Sequence, residues 1–313
     1  MAKFLYKYVG PTYIDKVFAD RDHICLKCSY PKDFNDPYEL FLTIDFDESP
    51  EILAFYADAV GELPQLPTTC FSRSPAVIPM WAHYAQNLQG FCIEIDEELL
   101  SECFPKSGFG DVDYHDEPKA SLKDILYRAY RIGKYRYMYF LHRGVFSAAY
   151  YTKASYWSYE EERRMVIKEN ETRIANDLIL IDVPKKCITG LICGPRASKA
   201  TMLAIREEAD RIGCRHFMLK IGKTSARPYF LDLNSDPFIF NGSDIEQSEN
   251  YCETCKEPIS SEEEQCSWCQ IDEFHISDAA SRNPYRMLDH YGLLGSYIES
   301  SIEIEESSRR KDH

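Results

Sequence analysis

The sequence has no apolar run near the roughly 20 residues that a membrane-spanning helix requires. Its first residues, MAKFLYKYVGP, enter a strand-like pattern directly and show none of the regions of a signal peptide. The chain also lacks a P-loop, a G-x-G-x-x-G, a G-x-S-x-G and an H-E-x-x-H motif. These absences predict a soluble cytoplasmic protein outside several common enzyme classes.

The composition is that of a folded protein with reduced thiols. The 313 residues, of which 44% are hydrophobic, suffice for one large domain or two smaller ones. Twelve cysteines are present, but a disulfide framework is not expected without a secretion signal. Several stand singly in apolar, strand-like segments and are expected to be reduced core thiols: Cys70, Cys92, Cys187, Cys193 and Cys214.

The formal net charge of −15 is concentrated in the C-terminal part. Residues 241–313 carry 17 acidic and 6 basic side chains, whereas residues 1–240 carry 34 and 30. Such an acidic segment repels phosphates, so non-specific duplex binding through it is disfavoured. The nearly neutral first part leaves nucleic-acid binding open.

Hydrophobic periodicity predicts an α+β fold with mixed, largely antiparallel sheets and packed helices. Strand-like segments such as FLYKYV, HICLKCS and GFCIEID alternate with amphipathic stretches, without a regular βαβ rhythm. The stretch SKATMLAIREEADRIG predicts a helix with Ser198 as its N-cap. The predicted organisation is a main domain at 1–233, a linker at 234–250, a zinc-ribbon-like module with four cysteines at 251–275, and a short helical segment with a mobile acidic tail at 276–313.

The four cysteines of this module follow the spacing C-x₂-C-x₁₀-C-x₂-C: Cys252, Cys255, Cys266 and Cys269. Two such knuckles aim backbone amides at thiolates and close a sulfur tetrahedron, the geometry that zinc prefers. Because four sulfurs leave no open position for a substrate, the pattern predicts a structural zinc ion. A pair of redox dithiols and a rubredoxin-like iron site are the alternatives for the same residues.

Three charged residues, Glu160, Glu162 and Arg164, occupy every second position in YEEERRMV. In an extended segment they share one face, with Glu161 and Arg163 on the other. A carboxylate paired with arginine at a strand end can orient a ribose or act as a general acid or base. The structural alternative is a salt-bridged sheet edge.

Two further stretches hold candidate site residues. IPMWAHYAQNLQGFCIEID brings Trp81, His83 and Tyr84 within four positions. On a helix, Trp81 and Tyr84 share a face and His83 diverges, which favours core packing for the two aromatic rings. FNDPYE places Asn35 and Asp36 before a proline, as in a rigid turn whose side chains bond their own backbone.

The order of these motifs resembles a bacterial family, the domain of unknown function 2971. The resemblance rests on FLYKY, FNDPYE, CFSR, MWAHYAQNLQGFCIEID and KASYWSYEEERR, and extends over roughly residues 4 to 230. Its most specific parts are Met-Trp-x-His-Tyr-Ala with Gly-Phe-Cys, and Trp-x-x-Glu-x-Glu-x-Arg. The four-cysteine module lies outside it as an appended part.

The N-terminal order of strand, helix and strand is also similar to the start of ADP-ribosyltransferase folds of bacterial toxins, which hold NAD in a cleft between two small sheets. This likeness implies that Tyr6 or Tyr8 lies beside the nicotinamide ribose, where those enzymes more often carry Arg or His. It implies that Glu160 or Glu162 bonds the ribose hydroxyl and stabilises the oxocarbenium-like transition state. The implied catalytic residues are Glu160, Glu162, His83 and Tyr84, and the implied NAD-binding residues are Tyr6, Tyr8, Asn35, Asp36, Trp81 and Arg164.

The resulting prediction is an NAD-consuming ADP-ribosyltransferase or NAD glycohydrolase of toxin or phage-defence type. Its acceptor would be a protein or a nucleic acid, and its zinc module would contact the target or a partner. One alternative is a non-enzymatic sensor or adaptor that binds a ligand or partner through the main domain and docks through the module. Another is a nuclease that binds Mg²⁺ through four convergent carboxylates, Asp36, Glu39, Glu160 and Glu162.

Overall fold

The computed structural model describes residues 4–36, 47–61, 65–260 and 263–309. Glu39, one of the four carboxylates of the nuclease alternative, lies outside the described residues. The chain divides into two compact units, Met1–Glu249 and Asn250–His313. None of the described helices combines the length and apolar content that crossing a bilayer requires.

Strands and helices are intermixed along the chain. The described strands are β1 (Phe4–Val9), β2 (His23–Cys28), β3 (Thr68–Ser72), β4 (Phe91–Asp96), β5 (Gly108–Asp111), β6 (Asp113–Tyr114), β7 (Thr152–Lys153), β8 (Glu162–Val166), β9 (Arg173–Ala175), β10 (Leu178–Pro184), β11 (Ile188–Cys193), β12 (Arg215–Lys220), β13 (Tyr229–Leu231), β14 (Pro237–Phe240) and β15 (Ile245–Gln247). The described helices are α1 (Ile14–Val17), α2 (Pro50–Gly61), α3 (Ile78–Tyr84), α4 (Glu97–Cys103), α5 (Ala120–Ile132), α6 (Tyr135–Tyr151), α7 (Lys199–Ile212), α8 (Glu273–Arg282), α9 (Pro284–His290) and α10 (Leu294–Arg309).

Ten of the described strands form one sheet in the order β15-β14-β13-β12-β11-β4-β1-β3-β8-β5. Its neighbours are antiparallel except for β11 and β12, which are parallel. A smaller antiparallel sheet has the order β2-β10-β9, and β6 pairs with β7 in parallel. The α+β class with mixed, largely antiparallel sheets is therefore confirmed.

Alternating residues of β1 serve two apolar cores on opposite faces of the large sheet. Leu5 belongs to one core together with Ile93 of β4. Tyr6 and Tyr8 belong to the other, where the Tyr8 ring meets the Trp81 ring edge-to-face at 5.2 Å. A third apolar cluster joins α2, α5 and α6. Successive residues of FLYKYV therefore point to opposite faces of a central strand, and both faces are buried.

Local signals define the helix boundaries. The Ser198 side chain accepts a hydrogen bond from the Thr201 amide, which confirms the predicted N-cap of α7. Gly133 ends α5 in the left-handed region at φ 62° and so separates it from α6. Residues with side chains rarely adopt that conformation, so glycine suits the turn into α6.

The segment 234–250 is not the predicted linker, because it forms β14 and β15 at the edge of the large sheet. Its apolar residues are anchored in the core: Ile245 is buried, and the Phe238 ring contacts the Phe217 ring at 5.1 Å. The Asn241 side chain accepts bonds from the amides of Ser243 and Asp244. The polar and glycine residues that indicated a linker therefore form a hairpin turn.

The segment 276–313, predicted as a short helical segment with a mobile acidic tail, contains more helix than expected. After the four-cysteine segment the chain forms α8, α9 and α10, the last of which extends to Arg309. Asp272 caps α8 in a capping box with His275, and Asn283 caps α9. These caps satisfy amides at both helix starts.

Candidate functional site

A cavity of about 830 Å³ lies within the first unit. Its lining comes from β1, β3 and β8 of the large sheet and from β2, β9 and β10 of the small sheet. β1 pairs with β4 along its whole length, but with β3 only through Tyr6 and Ser72. The cavity lies beside the residues beyond this pair, 7–9 of β1 and 68–71 of β3, where the two strands are no longer paired.

Two buried glutamates face this cavity. Glu160 ends a 3-10 turn (Ser155–Glu160), and Glu162 begins β8. Glu161 lies between them in the left-handed region at φ 45°. Glu160 and Glu162 both line the cavity, but a turn at Glu161 separates them, whereas one extended segment was expected.

Lys153 joins the two carboxylates. Its Nζ atom lies 2.6 Å from Oε2 of Glu160 and 3.4 Å from Oε2 of Glu162. The Lys153 side chain is only 5% exposed, and its Nζ lies 4.6 Å from the centre of the Trp157 ring. A single ammonium thus holds both acids at a buried position.

The Glu162 carboxylate is fixed by Arg164. Nε and one terminal nitrogen of Arg164 donate to the two oxygens of Glu162, both at 2.9 Å. The other terminal nitrogen donates to the Tyr150 carbonyl at 2.9 Å, and the guanidinium lies over the Phe34 ring. This bidentate pair satisfies a buried charge and positions the start of β8.

The two glutamates differ in pKa. Burial raises the pKa of Glu160, and the Lys153 ammonium offsets this rise only in part. Burial also acts on Glu162, but the Arg164 guanidinium outweighs it and lowers the pKa to about 2. Glu162 therefore stays ionised well below neutral pH, while the pKa of Glu160 is shifted upward, a division seen in acid and base pairs of enzymes.

Tyr84 completes the polar end of the cavity. Its hydroxyl donates to Oε1 of Glu160 at 2.5 Å and accepts from the Asn35 amide at 3.4 Å. Burial and the neighbouring Glu160 raise the pKa of Tyr84, so its phenol stays protonated and remains a donor. Asn35, Tyr84 and Glu160 form a chain of hydrogen bonds along the cavity wall.

The cavity lining includes most, but not all, of the residues expected from the sequence. Those that line it are Tyr6, Tyr8, Asn35, Tyr84, Glu160, Glu162 and Arg164. The hydroxyls of Tyr6 and Tyr8 are engaged in the second core, where they donate to Glu94 and to the Ser74 carbonyl. These two tyrosines are therefore held by the fold itself.

Three expected residues are absent from the described lining of this cavity. Trp81 is fully buried, and its indole nitrogen donates to the Pro75 carbonyl at 2.8 Å. His83 is exposed, with Nδ1 3.1 Å from the Tyr159 hydroxyl. Asp36 is buried and accepts from the Tyr156 hydroxyl at 3.4 Å. Trp81 belongs to the core, and His83 and Asp36 contact neighbouring tyrosines.

Sequence reasoning overlooked Lys153 and a set of lysines at the other walls. Lys7 donates to the Cys70 carbonyl at 2.7 Å and to the Thr69 hydroxyl at 3.2 Å. Lys16 and Lys27 line the same cavity. Within the part of the chain that the structure describes, Lys7, Lys16 and Lys27 form no ion pair.

The signals for these lysines were faint. Lys153 is a single cation in the aromatic run KASYWSY, and Lys7 interrupts the apolar alternation of β1. A charged residue within an otherwise buried pattern indicates a paired or functional group. Lys7 of β1, Lys16 of α1 and Lys27 of β2 lie on three different elements, and the fold brings all three to the wall of one cavity.

The four-cysteine cluster forms in the second unit as predicted. The Sγ atoms of Cys252, Cys255, Cys266 and Cys269 all lie within 4.8 Å of one another. Burial raises the pKa of Cys252, but bonds from the amides of Cys255 and Cys266 outweigh it and lower the pKa to about 6. Four converging sulfurs with amide support suit a tetrahedral metal such as zinc.

Residues 80–165 match the model of a family described as "Protein of unknown function (DUF2971)". This match supports the central part of the resemblance seen in the sequence, and it includes most of α3, Lys153 and both glutamates. No curated protein and no solved structure matches the chain. The family description names no activity, so a function must be argued from the cavity.

Proposed function

We propose that the chain cleaves the nicotinamide–ribose bond of NAD in this cavity, as an ADP-ribosyltransferase or an NAD glycohydrolase. One observation carries the proposal: Glu160 and Glu162 are buried beside the same ammonium, have pKa values shifted in opposite directions, and face a large cavity. Cleavage of a glycosidic bond needs an anion near the ribose and a base for the incoming nucleophile. Such a pair supplies both.

In the proposed reaction the bond between ribose C1′ and the nicotinamide nitrogen breaks. Its electron pair moves into the pyridinium ring, which leaves as neutral nicotinamide, and positive charge develops at C1′ and the ring oxygen. The anionic carboxylates stabilise that charge. A hydroxyl of an acceptor, or water, then attacks C1′ and loses its proton to Glu160, whose raised pKa suits it to act as the base.

The remaining walls fit the rest of the dinucleotide. A volume of about 830 Å³ lies in the usual range for cofactor-sized ligands. Lys7, Lys16 and Lys27 present ammonium groups without ion-pair partners among the described residues, and a pyrophosphate supplies matching charge. Tyr13 and Phe34 also line the cavity and offer rings for stacking.

We further propose that the four-cysteine cluster holds a structural zinc ion and that its unit contacts the macromolecular target or a partner. All four ligand positions would be filled by sulfur, so this metal would stabilise the module and take no part in NAD cleavage.

Incubation of the full chain with NAD labelled in its adenylate part tests the proposal. We expect nicotinamide release, with the label on protein, RNA or DNA for a transferase and on free ADP-ribose for a glycohydrolase. Release should survive chelators that remove free Mg²⁺. Saturable NAD binding without release would favour the sensor alternative. If the chain neither binds NAD nor releases nicotinamide, the proposal is overturned.

The nuclease alternative is less well supported. Lys153 and Arg164 already place two positive charges beside Glu160 and Glu162, and these charges disfavour the binding of a divalent cation there. Among the described residues, the one group of His, Cys, Asp or Glu placed to hold a metal is the four-cysteine cluster. Glu39, the fourth proposed ligand, lies outside those residues.

A further inference from the structure

The helical hairpin of α5 and α6 carries a charge opposite to that of the whole chain. From Ile125 to Tyr159 the sequence contains six lysines and arginines and no aspartate or glutamate, although the chain has a net charge of −15. Five of the six cations lie on the hairpin: Arg128, Arg131, Lys134, Arg136 and Arg143. A concentrated positive surface on an acidic protein indicates an anionic partner.

These five cations are available for such a partner. All five are exposed. Over the residues that the structure describes, none of them is ion-paired with a carboxylate. Arg131, Arg136 and Arg143 instead lie against aromatic rings of their own helices, at 5.2, 4.8 and 5.9 Å from the ring centres.

Exposed aromatic rings share this surface with the cations. Tyr135, at the turn between the helices, is 95% exposed, and Tyr139 and Phe140 of α6 are 58% and 49% exposed. Tyr130 of α5 is 42% exposed. The opposite side of the hairpin packs against α2 through Leu126, and the Tyr130 ring also meets Phe55 of α2 at 5.4 Å. Tyr135, Tyr139 and Phe140 are therefore the rings most available to a ligand.

From this surface, defined by the five cations and the four rings, we infer a binding site for single-stranded nucleic acid. Phosphates match unpaired arginines, and unstacked bases match exposed tyrosine rings that are flanked by guanidinium groups. A duplex keeps its bases stacked internally and offers only its phosphates, so single strands should bind more tightly. An anionic membrane or an acidic protein segment would bind to the cations but would not need exposed aromatic rings beside them.

The position of the surface is compatible with delivery of a strand towards the cavity. α6 contains 17 residues and so spans about 25 Å, from Tyr135 at its start to the residue pair Thr152–Lys153 after its end. Lys153 contacts Glu160 in the cavity. The binding inference itself does not depend on NAD cleavage, since it concerns affinity in the absence of NAD.

Fluorescence anisotropy with labelled single strands of about 20 nucleotides tests the inference on the full-length protein without NAD. We expect saturable binding that weakens steeply with added KCl and is tighter than for the matching duplex. The double variant Arg131→Glu/Arg136→Glu should weaken binding at least about tenfold. The matched control Lys199→Glu/Arg206→Glu replaces two exposed cations of α7 and changes the net charge by the same amount. It should retain most of the affinity for the single strand.

A ring substitution separates stacking from charge. Tyr135→Ala should weaken single-strand binding at least about fivefold, whereas Tyr135→Phe should retain it. Because Tyr135 is 95% exposed, neither change should alter the melting temperature. The inference is overturned if no oligonucleotide binds or if Tyr135→Ala is without effect. It is also overturned if polyglutamate or vesicles containing phosphatidylserine bind in preference to the oligonucleotide.

Discussion

The two units of this protein bury very different amounts of apolar surface. The first has three clusters of buried hydrophobic residues around its sheets and helices. In the described part of the second, the only buried residues are Cys252, Glu257 and Cys266. A unit with so small a core needs another source of stability, and four converging sulfurs provide a metal site that can supply it.

The largest expected effect is unfolding within the second unit when the proposed zinc ion is removed. Chelation or Cys252→Ser should unfold residues 250–270, because structural zinc sites contribute about 10–16 kcal/mol to folding. Amide hydrogen exchange should show this loss while the strands of the first unit stay protected. Cys25→Ser, at a half-buried cysteine of β2, is the control. Unchanged protection of residues 250–270 after chelation would refute metal-dependent folding.

A tryptophan in each unit offers the next comparison. Trp81→Ala should lower the free energy of unfolding by about 3–5 kcal/mol, since it empties a core position and removes the bond to Pro75. Trp268 of the second unit is 55% exposed, so Trp268→Ala should cost much less. Urea unfolding of both variants measures the difference. Equal losses would contradict the assignment of Trp81 to the core.

Acid should act on the first unit through Glu162. Its pKa falls from an ordinary 4.5 to about 2 in the folded state, so its contribution is complete above about pH 4.5 and lost as the pH falls towards 2. The loss is on the order of 3 kcal/mol. Glu162→Gln should flatten this part of the stability profile and also destabilise the protein at neutral pH, because Arg164 loses its charged partner. A profile with the same acid slope in both proteins would count against this ion pair.

His83→Ala should have the smallest effect. His83 is exposed and bonds only one described side chain, Tyr159, so the change in unfolding free energy should stay below about 1 kcal/mol. Its effect on NAD cleavage should be smaller than that of Glu160→Gln, since His83 lies apart from the described cavity lining. Comparison of nicotinamide release by the two variants measures this. If nicotinamide release fell further in His83→Ala than in Glu160→Gln, the reacting centre would have to lie nearer to Tyr159 than proposed.

Local patterns in the sequence predicted local features well. Alternation identified β1, β2 and β4, and the cysteine spacing identified the four-cysteine cluster, because both signals lie within a short segment. The segment 234–250 was misinterpreted, since the polar residues of a hairpin turn resemble those of a linker.

The candidate site depended on contacts between distant residues. Asn35, Tyr84 and Glu160 are joined by hydrogen bonds that span up to 76 positions of the chain. Such contacts follow from the strand order, which hydrophobic periodicity does not specify. Lys153 was missed for a different reason: it lies only 7 and 9 positions from the glutamates that it contacts, but a single cation in an aromatic run is a weak signal.

The most direct test of NAD cleavage compares two neighbouring glutamates. Glu160→Gln removes the proposed base and leaves Lys153 in contact with Glu162, so the fold should persist. Glu161→Gln makes the same chemical change at an exposed position between them. Nicotinamide release should fall at least about 100-fold in Glu160→Gln and remain near the wild-type rate in Glu161→Gln. Equal rates in the two folded variants would contradict the account.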